Sequence, residues 1–97
     1  MKTVAEMIEL GGNEWVSGDK HRIYFNNAME LAGYVVTRYN TGAMSSCRLD
    51  GEKISNAKAG ELASLKVYYD VKAERLVISG HARMFDEFAE RVKAALQ

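Results

Sequence analysis

The run "KVYYDVKAERLVIS", residues 66–79, limits the architecture more than any other stretch of the chain. "KVYYDV" and "RLVIS" are rich in β-branched and aromatic residues, which favour a pleated, half-buried backbone. The polar link "KAE" is far too short for the crossover that a parallel pair requires. The two runs therefore form an antiparallel hairpin. A second hairpin is signalled by Asp50-Gly51, a dipeptide that tolerates the positive φ angles of a tight turn, between "SSCRL" and "EKIS".

Other segments carry different periods. "KHRIYFN" alternates, with His21, Ile23 and Phe25 on one side and Lys20, Arg22 and Tyr24 on the other, as in a half-buried strand. "YVVTRYN" reads as a further strand whose inward pair is either Val35 with Tyr39 or Tyr34 with Val36. "TVAEMIEL" places Val4, Met7 and Ile8 at helical spacing, with Thr3 as N-cap and Gly11-Gly12 as the stop. "NNAMELAG" suits a short helix capped by Asn26 or Asn27 and ended by Gly33. Ser55 caps the helix "NAKAGELASL", which turns Leu62 and Leu65, with the preceding Ile54, toward the core. Gly60 inside it costs about 1 kcal/mol relative to alanine, which predicts a close helix-to-sheet approach at that point. The final segment "RMFDEFAERVKAALQ" aligns Phe85, Phe88, Val92 and Leu96 on one stripe. The expected order is helix, strand, short helix, strand, hairpin, helix, hairpin, helix. It describes one α+β domain over residues 1–97, with a mainly antiparallel sheet of about four to five strands and helices packed on one face.

A chain of 97 residues buries only about 60–65% of its unfolded surface, so a deep, enclosed active-site cavity is not expected. A composition 47% hydrophobic and 27% charged is that of a globular domain, and no apolar run approaches the roughly 18 residues of a membrane helix. Glu6 and Glu9 interrupt the stretch that a signal peptide would keep apolar, and a lone cysteine forms no internal disulfide. A cytoplasmic monomer or weak homodimer is the expectation. The formal net charge is zero, which excludes a general excess of either sign. The charges are nevertheless unevenly placed: residues 1–19 are acidic, whereas residues 20–58 carry Lys20, Arg22, Arg38, Arg48, Lys53 and Lys58 against Glu30, Asp50 and Glu52.

The chemistry-bearing residues do not assemble into a recognisable motif. A reactive thiol needs a base or a helix N-terminus beside it, and Cys47 is remote in sequence from both His21 and His81. Ser45 and Ser46 lack the G-x-S-x-G frame of a nucleophile elbow. Two histidines and one cysteine supply no metal-ligand spacing, and the glycines of "LGGN" and "SGDK" lack the lysine and spacing of a phosphate loop. No enzyme, cofactor or metal site is expected.

What remains is surface. Arg22 with Tyr24, Arg38 with Tyr39, and Arg48 with Lys53, joined by Lys58, combine the residue types that dominate binding hot spots. The expected docking surface spans residues 37–55, with Arg38 and Arg48 outward and Lys53 beside them. Lys72 and Arg75, on the 66–79 hairpin, are expected to lie outside it. The runs "GGNEW", "HRIYFN", "YNTG…SS…LDGEKISN" and "VYYDV" resemble those of small proteins encoded by bacterial phages, prophages and other mobile elements, over most of residues 8–71. That resemblance implies a non-enzymatic inhibitor of a host protein or ribonucleoprotein complex, anti-CRISPR proteins being one such class. A small regulator that places the same basic, tyrosine-bearing patch directly on nucleic acid is the alternative.

Overall fold

The computed structural model describes residues 1–97. Helix α1 (Val4–Glu9) opens on a complete capping box: the Glu6 amide donates to the Thr3 hydroxyl, and the Thr3 amide donates to the Glu6 carboxylate. The Thr3 amide, together with the Thr3 hydroxyl, donates to the Glu6 carboxylate and holds its carboxyl below the usual pKa. Strands β1 (Asn13–Ser17) and β2 (Lys20–Tyr24) follow as a hairpin closed by Gly18-Asp19. Helix α2 (Ala28–Leu31) is a single turn ended by Gly33, whose φ is +94°. Strands β3 (Tyr34–Arg38), β4 (Met44–Leu49) and β5 (Glu52–Lys53) come next, then helix α3 (Asn56–Ala63). The hairpin β6 (Lys66–Asp70) and β7 (Arg75–Ser79) leads into helix α4 (Phe85–Ala95).

All pairings are antiparallel, and the strands divide between two sheets: β1-β2-β6-β7, and β3-β4-β5. The α+β class is therefore as expected, with four strands in the main sheet and three in a second. The first and last hairpins lie side by side through β2 and β6, where Arg22 faces Asp70, Ile23 faces Tyr69 and Tyr24 faces Tyr68. Backbone bonds from Phe25 to Val67 and from Val71 to His21 extend that seam at both ends. The segment between the hairpins builds the smaller sheet and helices α2 and α3. In β3 the inward pair is Tyr34 with Val36, opposite Leu49 and Cys47, whereas Val35 and Tyr39 are both 64% exposed. The Asp50-Gly51 turn has the expected positive φ angles, 51° and 85°. It is also tied to α4, because Arg91 donates to the Asp50 carboxylate at 2.8 Å. As a largely exposed pair it is screened by solvent and mainly sets orientation.

One core of 16 buried residues joins the two sheets to the helices. Met7, Ile23, Phe88, Val92 and Leu96 are fully excluded from solvent at its centre, and the Phe88 ring lies 6.3 Å from that of Tyr34. Phe85, expected on the same stripe, is only half-buried at the first position of α4. Burial also raises the Tyr34 pKa, and its hydroxyl has no protein partner.

Two sequence expectations are corrected. "NEWVS" is a strand, passed over because its polar residues conceal an edge strand with all five side chains exposed. Gly60 does not mark a close approach, since a Cβ there would meet nothing within 4 Å. Gly12 is a tight position instead: a Cβ would sit 2.5 Å from the Ile23 side chain and 2.7 Å from the Met7 carbonyl oxygen. Gly60→Ala should therefore raise stability by about 0.5–1 kcal/mol and Gly12→Ala should lower it, both read from urea midpoints at constant m-value. Phe88→Ala should cost about 3–5 kcal/mol, a large part of the roughly 5–15 kcal/mol available to a domain of this size. A melting curve of that variant checks it.

Candidate docking surface

A sheet covered on one face leaves the other to solvent, and period-two alternation decides which residues occupy it. In the four-stranded sheet Ile23 and Val67 point into the core. Arg22, Tyr24 and Tyr68 therefore point away from it, and the registers extend that open face in rows. One row runs Trp15–Arg22–Asp70–Arg75 and the next Asn13–Tyr24–Tyr68–Val77. None of Trp15, Tyr24, Tyr68 or Val77 belongs to the core or packs against it.

The rings on this face contact one another. Tyr24 and Tyr68 lie 5.3 Å apart between centroids, and Trp15 meets Tyr24 edge-on at 6.3 Å. Arg22 sits among them, its guanidinium carbon 4.7 Å from the Tyr68 centroid and 6.0 Å from that of Trp15. Its Nη1 donates to the Tyr24 hydroxyl at 3.0 Å, which raises the pKa of an already permanent cation. The Nε is buried without a partner. Cation–π contacts and this hydrogen bond hold the charge in one orientation on a partly exposed surface. Trp15 is 41% exposed at the edge of the cluster.

The sequence-derived candidates do not form one patch. Arg22 and Tyr24 lie on the open face of the main sheet. Arg48 and Lys53 are cross-strand neighbours on the smaller sheet, beside Val35 and on the side away from Cys47 and Leu49. Arg38 is not with them. Alternation along β3 puts Arg38 on the side of Tyr34 and Val36, opposite Met44, with the extra residue of the register shift, Ser45, on β4. Arg38 lines a small cleft with Val36, Leu62 and Leu65. Tyr39 is exposed in the β3–β4 connection, and Lys58 is exposed in the first turn of α3. Arg38 and Arg48 each donate to a carbonyl of their own hairpin, Gly42 and Gly51, both at 3.1 Å. Arg75, expected outside the docking surface, lies on the open face in line with Arg22. Trp15 and Tyr68 were missed. The signal for Trp15 was the two-residue Gly18-Asp19 link, a hairpin turn that assigns a strand to the residues before it. Tyr68 next to Tyr69 could not be oriented from alternation alone.

The groups considered for chemistry are placed apart. Cys47 is fully buried on the inner side of β4, and burial pushes its thiol pKa up. His21 bonds Glu14 at 2.8 Å across the β1–β2 hairpin, and His81 is exposed before α4. No group of three or more His, Cys, Asp or Glu side chains is arranged to hold a metal ion, and no helix is long and apolar enough to cross a membrane. Comparison with known proteins found no matching family model, no similar curated protein and no similar solved structure.

The placement of Cys47 has a direct chemical consequence. A thiol reagent such as DTNB should modify it in the folded protein at least about a hundredfold more slowly than in urea, because reaction needs both opening of the core and ionisation. Rapid labelling of the native protein would show that β4 opens locally.

Proposed function

We propose that this protein is a non-enzymatic binding protein that docks, through the open face of its four-stranded sheet, onto a macromolecular complex of a bacterial host and acts by occupying it. The observation that carries this reading is the Trp15–Arg22–Tyr24–Tyr68 cluster. Tryptophan, tyrosine and arginine dominate binding hot spots because each joins a large contact area to directional hydrogen bonding. Here they are gathered on the sheet surface that the fold leaves uncovered. Their mutual packing reduces the side-chain freedom that binding would otherwise remove. The narrower reading, inhibition of a CRISPR effector complex, rests on the resemblance to phage-encoded proteins.

The test is capture from a bacterial lysate on the immobilised protein, with the retained complex identified and the capture repeated with a Trp15→Ala/Tyr68→Leu double variant. The melting temperature should change by no more than a few degrees, since neither residue belongs to the core. Retention of the complex should fall at least about tenfold, typical of losing hot-spot residues. Retention unchanged in that variant but lost in Arg48→Glu/Lys53→Glu would move docking to the smaller sheet. Addition of the protein to a CRISPR interference assay separately decides the narrower reading.

A further inference from the structure

We infer that the open face of the four-stranded sheet takes single-stranded nucleic acid, with bases stacking on the Trp15 and Tyr24–Tyr68 side of the cluster and phosphates meeting the cations around it. The inference rests on the docking role proposed for this face and names the chemistry of what docks.

Charge is the first support. The chain as a whole is neutral, with 13 basic and 13 acidic side chains. On this face, however, alternation places Lys20, Arg22, Lys66 and Arg75 outward against Asp70 alone. The adjoining turns add Asp19 and Glu74 against Lys72 and leave the excess positive. Protein-binding patches are enriched in aromatic residues and arginine but depleted of lysine, whereas nucleic-acid interfaces are polar and strongly cationic. Here Lys20 and Lys66 stand with Arg22 and Arg75, and Val77 is the only aliphatic side chain in the two middle rows.

Geometry is the second support. Strands lie about 4.8 Å apart, so the ring on β1, the rings on β2 and β6, and the guanidinium among them form one cluster across three strands, with Trp15 edge-on to Tyr24 and Tyr24 tilted by 41° from Tyr68. Bases stack on aromatic rings and on arginine planes alike, without regard to sequence. Arg22 uses Nη1 on Tyr24 and buries Nε, while its Nη2 is neither bonded within the protein nor buried, so it remains able to donate to a phosphate oxygen.

Fluorescence anisotropy with labelled oligo-dT and oligo-rU of about 12 nucleotides, and with a duplex of equal length, tests the inference at low and rising salt. Single strands should bind at least about tenfold more tightly than duplex. Trp15→Ala and Tyr68→Leu should each weaken that binding about fivefold or more. Lys66→Gln should lower the slope of log K against log salt by about 0.7, and Arg48→Gln on the smaller sheet should leave binding unchanged. Two results would overturn the inference. One is equal affinity for duplex and single strand with no loss in the ring variants, which is diffuse electrostatics. The other is no oligonucleotide binding at low salt, while the Trp15→Ala/Tyr68→Leu variant still loses its captured complex. That second result keeps the docking face and assigns it to a protein partner.

Discussion

The pairing of β2 with β6 is the contact on which the rest of the molecule depends. Two hairpins separated by some forty residues of chain become one sheet along a short seam, Arg22–Asp70, Ile23–Tyr69 and Tyr24–Tyr68. A seam of that length gains little from hydrogen bonding alone, since each backbone bond contributes only about 0.5–1.5 kcal/mol net. Its register is set by burial. A slip of one residue would turn Ile23 out of the core and drive Arg22 into it, exchanging a buried aliphatic group for a desolvated cation.

That choice settles both sides of the sheet at once. Inward, Ile23 and Val67 join the cluster closed by Phe88, Val92 and Leu96 of α4. Outward, the same register brings Tyr24 beside Tyr68 and lets Arg22 lie over the Tyr68 ring. The exposed aromatic rings are held by one another and by the cation, not by the core. Such cross-strand contacts stabilise the sheet modestly, but the apolar area they leave exposed is a liability at a sheet edge such as β1. Its presence is understandable where the face has a partner.

The smaller sheet follows a different logic. Its hairpin turn is anchored to α4 through Asp50 and Arg91, and its inner residues Tyr34, Cys47 and Leu49 complete the core. The arginines that looked like ligand-seeking groups, Arg38 and Arg48, are engaged with carbonyl oxygens of their own turns. Each spends its Nη1 on that bond, as Arg22 does on Tyr24, and both side chains remain exposed.

The sequence by itself determined most of the local structure, because capping, turn chemistry and periodicity act over a few residues. The Thr3 and Ser55 caps, the Asp50-Gly51 turn, the hairpin across "KAE" and the stripe of Phe88, Val92 and Leu96 were all legible. Strand β1 escaped because an edge strand with no buried face shows no hydrophobic period. The candidate site was legible only in part: Arg22 and Tyr24 were named, Trp15 and Tyr68 were not, and the open choice of inner face for β3 hid that Arg38 lies on the side of Val36, away from Arg48. Which hairpins share a sheet, and therefore which side chains share a surface, was decided only in the tertiary structure. Local pattern orients a strand that alternates cleanly, such as β2, but the neighbour across the seam is chosen by the joint burial of residues far apart in the chain.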